Sequence, residues 1–260
     1  MKGKLLFTGT GASLGVPLIG CECSVCRSPS LYNQRLRTAA FVNYSNKNFL
    51  IDTGPDFRSQ ALKYQIKTID GIIFTHAHHD HTAGIDDLRA FYYQTRKPLP
   101  ILASSATIAE LKQRYNYLFQ AKSAEDGKTI SYFDIHLLPE LNGELIFEGC
   151  PLTYVTYQQG GMTVNGFRFG NLAYLSDIHE FQPSIFNYLK GLETLVISAL
   201  RHIPSALHLS VSEAVEFVKQ AGAKKGWLTH ISHELEHQQT NAALPSSIQL
   251  AYDGLEIDFN

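Results

Sequence analysis

Within FTHAHHDHTAG, Phe74 to Gly84, four histidines and one aspartate crowd into six positions. Neutral imidazoles and a carboxylate are ligands that suit zinc, iron or manganese. The run just before them, GIIFT, reads as a strand. If the extended backbone continues past it, His76 and His78 point to the same side. Asp80 and His81 then fall where the chain turns into the next helix and offer ligands to a second position. The bland alternative is a polar loop whose histidines only hydrogen-bond, and HxHxDH directly after an apolar strand weighs against it. The second chemical stretch is CECSVC, with Cys21, Cys23 and Cys26. Three thiolates this close converge readily on one tetrahedral ion, and a structural zinc site wants a fourth ligand. A disulfide or a catalytic thiol is the competing reading. The thiols are too many and too close for one nucleophile, and no base is specified beside them.

These residues need a scaffold, and the chain supplies alternating strand-like and helix-like segments with no repeat or low-complexity tract. KLLFTG, AAFVNY, NFLIDTG and GIIFTH are short apolar runs bounded by Gly, Asn and Asp, which suits strands. A helix is expected from about Thr82, whose hydroxyl would cap it, with Ile85, Leu88 and Phe91 on one face. Another is expected from Ser105 to about Phe119. Asn142-Gly143 is a hairpin turn signal. Further on, LAYLSD, TLVISAL and GWLTH read as strands and SEAVEFVKQAG as a helix closed by Gly222. The order predicts an α/β chain, helices flanking packed sheets, in one domain over residues 1–260.

Composition excludes more than it selects. With 260 residues, 44% hydrophobic and 18% charged, the chain can bury a sizeable core, and a net charge of -2 gives no global basic field for nucleic acid or anionic membrane. The N-terminal apolar run is three residues, Leu5 to Phe7, too short for a signal peptide, and no stretch is long enough to span a membrane. A cytoplasmic location is therefore expected, where four cysteines are not structural disulfides. GTGASLGVP, Gly9 to Pro17, has the wrong spacing for a dinucleotide loop and reads as a turn that lines the site. Cys150 reads as a small buried residue, and Arg37 and Arg58 as surface or structural pairing.

HxHxDH, preceded by NFLIDTG with Asp52 and followed by LAYLSD and WLTH, resembles the metallo-β-lactamase superfamily of hydrolases over nearly the whole chain. The resemblance implies the αββα sandwich of that superfamily. It also implies a dinuclear site of His76, His78, Asp80, His81, Asp177 and His230, with Asp177 bridging and Asp52 orienting a ligand or loop. A further histidine is expected shortly before the GFR strand, and the position counted back from Gly166 holds Gln159. An amide oxygen is the weaker ligand, so the position with His76 and His78 is expected to be weak, empty or suited to a harder ion such as manganese. His179, two residues past Asp177, substitutes only if that segment stays extended. LTHISH places His233 three residues beyond His230, the candidate fourth ligand for the cysteine zinc.

The cysteine cluster with LTHxSH narrows the resemblance to the phosphoribosyl cyclic phosphate phosphodiesterases of phosphonate degradation. This implies a metal-dependent phosphodiesterase that opens a small cyclic phosphodiester by metal-bound hydroxide, with manganese or zinc, up to two ions, in the site and one structural zinc. By the same resemblance His208, in ALHLSVSEA, is the protonated acid at the leaving oxygen, and Asp80 is catalytic as well as a ligand. A satisfied loop histidine is the other reading of His208. The expected partner is a small phosphodiester, with no nucleic acid or membrane, and a homodimer follows from the resemblance alone. A transfer-RNA 3′-end nuclease, a quinone-cofactor biosynthesis-type protein and a non-catalytic metal-binding scaffold stay open as alternatives, as do thiolesterase and lactonase substrates. Segment 117–136 is read as part of a substrate pocket or as core, and His237 as a surface residue or a partner behind the site.

Overall fold

The computed structural model describes residues 2–122, 129–139 and 141–260. Strand β1 (Gly3–Gly9) runs through a long loop, which carries the cysteines, into the hairpin of β2 (Ala39–Tyr44) and β3 (Lys47–Ile51). There follow α1 (Phe57–Lys63), β4 (Gly71–Ile73), α2 (His79–Thr82), α3 (Arg89–Thr95), β5 (Leu99–Ala103), α4 (Ser105–Arg114), α5 (Asn116–Phe119), the short β6 (Ala121–Lys122) and β7 (Thr129–Ile130), and β8 (Phe133–Leu137). The second half contains β9 (Gly143–Phe147), β10 (Cys150–Gln159), β11 (Met162–Phe169), β12 (Leu172–Leu175), α6 (Ile185–Tyr188), β13 (Thr194–Ser198), α7 (Val211–Gln220), β14 (Lys225–Thr229), α8 (His237–Ala243) and β15 (Ile248–Leu250). The last strand, β16 (Glu256–Phe259), returns to pair with β1.

Two seven-stranded sheets result, ordered β16-β1-β2-β3-β4-β5-β8 and β15-β14-β13-β12-β11-β10-β9. Each is antiparallel at one end and parallel at the other, from β3 to β8 and from β12 to β15. The alternation along strands sorts residues into layers. Phe49, Ile51 and Ile73 from one sheet and Phe167, Tyr174 and Val196 from the other form the central layer between the sheets. Their neighbours Leu50 and Ile72 turn outwards to α3 and α4, and Ala173, Leu195 and Ile197 to α6 and α7. This is the αββα sandwich expected from the sequence.

Three local expectations fail. Thr82 ends α2 and donates to the His78 carbonyl at 2.9 Å, so it caps nothing; a 3-10 turn (Ile85–Leu88) separates α2 from α3. The helix expected through Phe119 breaks after Arg114, at Tyr115, although Ser104 caps its start. Asn142-Gly143 is no hairpin: it joins β8 in one sheet to β9 in the other. Asn142 instead accepts from the Thr156 backbone N–H through Oδ1. The tight turn is Glu148-Gly149, with φ of 49° and 82°, the left-handed pair that a two-residue hairpin needs. The α7 expectation holds, closed by Gly222 and started by a capping box in which the Ser210 N–H donates to Glu213 at 2.8 Å. No helix among the described residues is long and apolar enough to cross a membrane.

Candidate active site

The sequence-predicted residues meet where the parallel strands of both sheets end. Asp52 follows β3, His76 to His81 follow β4, Asp177 follows β12 and His230 follows β14. Asp52, Asp177 and His230 all have left-handed backbone, φ 62°, 56° and 56°. Residues with side chains adopt that conformation rarely, and three at one site mark a backbone bent to aim its side chains.

Asp52 organises the histidine loop. It is fully buried and accepts from the Thr75 N–H and hydroxyl, both at 2.8 Å, and from His81 Nδ1 at 2.7 Å. The Thr75 oxygen in turn lies 2.9 Å from His76 Nδ1, so both rings present Nε2 to the site. The loop after β3 clamps the same segment through Thr53 N–H to the His81 carbonyl at 2.8 Å and Gly84 N–H to the Thr53 carbonyl at 2.8 Å. Gly54 cannot be larger, because a Cβ there would sit 2.0 Å from the Asp80 carbonyl oxygen. From outside, Arg114 on α4 donates to the Ala77 carbonyl between the first two histidines.

The ligand atoms converge in two groups of unequal quality. His81 Nε2 lies 3.4 Å from Asp80 Oδ2 and 3.6 Å from Asp177 Oδ1; His230 Nε2 lies 3.4 and 3.3 Å from the same two atoms. With ligand bonds of about 2.0–2.2 Å, a tetrahedral edge is about 3.3–3.6 Å, so Asp80, His81 and His230 form a triad that suits one divalent ion, and Asp177 lies at a comparable distance from both imidazoles. His81 Nε2 is buried with no hydrogen-bond partner, which a bound ion would satisfy. Burial opposes charge on Asp80, His81 and Asp177. Against it, His230 and His81 hold the Asp177 carboxyl well below its usual range, His81 and His230 do the same for Asp80, and Asp177, Asp52 and Asp80 together raise His81 well above an ordinary imidazole. Three buried carboxylates keep a proton on that ring, and a cation is what would displace it.

The other group is looser. His76 Nε2 is 3.7 Å from Asp177 Oδ2, and its near neighbour is His78 Nδ1 at 3.0 Å. Gln159, at the end of β10, does not aim its oxygen inwards. Its Nε2 donates to Asp177 Oδ2 at 3.0 Å and lies 3.1 Å from His208 Nε2, while Oε1 is buried without a partner. In this orientation the amide nitrogen faces Asp177 and the oxygen, the atom expected to ligate, is turned away from it. His208 stacks on His230 with ring centroids 4.8 Å apart. Burial lowers its pKa to about 4, although Asp177 pulls the other way, which favours the uncharged ring at neutral pH. His179 stays out of the cluster; its Nδ1 is 4.0 Å from Glu180.

A second, separate cluster joins Cys21, Cys23 and Cys26 to His233. His233 Nδ1 lies 3.3, 3.5 and 3.5 Å from the three sulfurs. A tetrahedral zinc with bonds of about 2.3 Å to sulfur and 2.0–2.1 Å to nitrogen has edges of about 3.5 Å, so this site is closed and fits zinc. The loop is held by Leu18 N–H to Cys26 Sγ and Cys26 N–H to Cys23 Sγ. The hydrogen bond from Cys26 N–H and the contact with His233 lower Cys23 to about 6, and burial raises Cys26 to about 11.

Other readings resolve simply. Arg37 pairs with Asp56 at 3.1 Å, Arg58 is exposed on α1, and the buried Cys150 thiol donates to the Tyr44 carbonyl. His237 is buried between Tyr32, which stacks on it, and the Arg35 guanidinium, which donates to it at 3.0 Å. Of segment 117–136, residues 123–128 lie outside the described residues, and Phe119, Tyr132 and Phe133 belong to the core under α3 and α4. Thr75, Ser176 and Arg114 are site-building residues that the sequence reading missed. Ser176 donates to Asp177 Oδ1 at 2.9 Å. Thr75 and Ser176 each sit beside a motif residue, the one signal that pointed to them.

A buried carboxylate–imidazole cage at strand ends between two sheets, in an αββα sandwich, defines a metal-dependent hydrolase of the β-lactamase fold. Residues 47–231 match the family described as "Beta-lactamase superfamily domain", and the chain belongs to it. It is similar to a structure described as a new diphosphatase from the PhnP family, with a TM-score of 0.91 and 37% identity over 100% of this chain and 98% of that one. It also resembles zinc-bound PqqB from Methylobacterium extorquens, TM-score 0.77 and 16% identity over 98% and 100% of the two chains, a likeness of fold. Among curated proteins, an octanoyltransferase of Porphyromonas gingivalis is 32% identical over 97% of this chain and 51% of its own length. The chain thus spans about half of that relative.

Proposed function

We propose that the chain hydrolyses a small phosphodiester with the help of a divalent metal. The observation that carries this reading is the buried triad of Asp80, His81 and His230, with Asp177 3.6 and 3.3 Å from its two imidazoles and His208 stacked on His230. Similarity to a diphosphatase supports chemistry at phosphorus. The name of the Porphyromonas relative belongs to a protein about twice as long, and the site built here offers imidazoles and carboxylates. When bound, a metal supplies positive charge for phosphoryl oxygens and lowers the pKa of water.

The residues divide the remaining work. Asp80, His81 and His230, with Asp177 beside them, would hold the ion, with zinc or manganese matching the donors. Asp52, through His81 and Thr75, and Ser176, through Asp177, keep those atoms aimed. Gln159 makes a hydrogen bond to Asp177 where a second ion would need a ligand, so the Asp80, His81 and His230 side is the position that would hold an ion more firmly. Water adds at phosphorus, one P–O bond breaks, and the departing oxygen takes a proton from His208 while the water's proton is released. His208 gives its proton from the charged form, which a bound phosphate anion favours against the downward push of burial, and the proton released by the water restores it. The closed cysteine site holds structural zinc.

Two variants test this together. Asp177→Ala should lose the metal of the buried cage and turnover of bis(p-nitrophenyl) phosphate by about 10³-fold or more. His208→Ala should keep its metal and lose about 10²–10⁴-fold. Full turnover in His208→Ala would remove that residue from the chemistry, and full turnover in Asp177→Ala would remove the site.

A further inference from the structure

Next to His208 lies a cavity of about 510 Å³ that the hydrolytic reaction does not use. It opens between the loop after β1 and the loop that carries His208, and His233 of the cysteine site forms its far wall. Leu14, Leu18, Leu200, Ala206 and Leu207 supply its surface. Leu14 and Leu207 are 66% and 50% exposed, apolar side chains left open to water at the mouth.

Most of the polar groups around it are already engaged, the Ser13 hydroxyl and one Arg201 nitrogen apart. Ser205 accepts from the His208 N–H at 3.0 Å and the Leu207 N–H at 3.2 Å and donates to the His208 carbonyl. Ser232 accepts from the Glu234 N–H, and Arg201 pairs with Glu234 at 3.4 Å. What remains for a ligand is mainly aliphatic wall. Leu207 is also held in place, since it fills the space above Gly160, where a Cβ would meet its Cδ2 at 2.6 Å. A nucleobase would be held by aromatic stacking and by hydrogen bonds to its edge. The rings here are the two imidazoles, and few hydrogen-bonding groups are left open.

We infer that this cavity is a substrate subsite for an unbranched alkyl or acyl chain, so that the phosphodiester cleaved at the adjacent cage carries one aliphatic arm. The inference rests on the phosphodiesterase reading above and specifies the class of its substrate. Because His208 is shared by the cavity wall and the cage, an arm lying in the cavity is attached close to the reacting phosphorus. Each methylene buried there contributes about 0.8 kcal/mol, a factor of about four, until the cavity is full.

The test uses the metal-loaded protein and p-nitrophenyl phosphodiesters whose second arm is methyl, butyl or octyl. The expected result is a rise in kcat/KM of at least about 30-fold from methyl to octyl, carried mainly by KM. In parallel, octyl phosphate should bind at least about 30-fold more tightly than methyl phosphate by calorimetry. Leu14→Asp, at an exposed position, should flatten both series. Equal kcat/KM and equal binding across the series would overturn the subsite. If octyl phosphate binds tightly but no ester is turned over, the phosphodiesterase reading fails and the aliphatic subsite stands.

Discussion

The two metal-type clusters are built on opposite plans, although His230 and His233 hang them on one short segment. The cysteine cluster takes three ligands from six consecutive residues of a loop and one from across the fold, and its sulfur–nitrogen edges are uniform, 3.3 to 3.5 Å. It is partly exposed and closed. The carboxylate–imidazole cluster takes its residues from the ends of strands in both sheets, buries nearly all of them, and has left-handed backbone at three of its positions. Its atoms are also uneven, with one tight cage and one loose position partly filled by Gln159. A site that only holds structure together can be satisfied locally. One that must leave room for a reacting molecule needs the whole scaffold to keep its atoms apart.

That contrast predicts where damage spreads. Cys23→Ser should remove one zinc per chain and lower the melting temperature by on the order of 10 °C, taking a tightly held ion to contribute about 4 kcal/mol. The buried cage should keep its own metal, because Asp52, Thr75 and Ser176 orient it from outside the cysteine loop. Turnover should fall by less than about tenfold, through the link from Thr10 and Ala12 to Ile231, between the two histidines. Elemental analysis beside a melting curve checks all three. Loss of both metals from this single variant would show that the clusters are one cooperative unit and break the contrast.

The same contrast explains what the sequence could tell. HxHxDH and CECSVC are legible because their ligands are neighbours in the chain, where spacing alone limits geometry. Asp177 and His230 became legible only through resemblance, since each is a lone residue at a strand end. The strands themselves were readable as apolar runs. Helix boundaries were not, as the break at Tyr115 and the 3-10 turn at Ile85–Leu88 show. Asn142-Gly143 carried the right dipeptide for a hairpin, but β8 and β9 belong to different sheets, which no local signal reports. The aliphatic cavity was equally hidden, apart from the turn after β1 being placed near the site. Its leucines come from three segments with no shared motif.

Gln159 is where the contrast can be sharpened. In Gln159→His the donor to Asp177 Oδ2 is replaced by a ring that can ligate, beside His76 Nε2 at 3.7 Å from that oxygen. Metal content after loading with manganese or zinc should rise by one ion per chain, with little change in melting temperature without metal. No increase would mean that the His76–His78 side is shaped against metal by more than one residue, their 3.0 Å approach being the first suspect.

The smallest effect tests whether the scaffold under His208 is separable from either cluster. Ser210 starts α7 two residues beyond His208, with its Oγ accepting from the Glu213 N–H at 3.3 Å and its N–H donating back to Glu213. Removing the hydroxyl in Ser210→Ala should cost about 1 kcal/mol, or about 2–4 °C in melting temperature for a chain of this size. Both metal contents should be unchanged. His208 is held from its other side by Ser205, which bonds its N–H and its carbonyl, so turnover should move by less than about threefold. A larger loss would mean that the helix cap, and not the Ser205 turn, sets where His208 stands, and would tie catalysis to α7 as firmly as the ligands are tied to their strands.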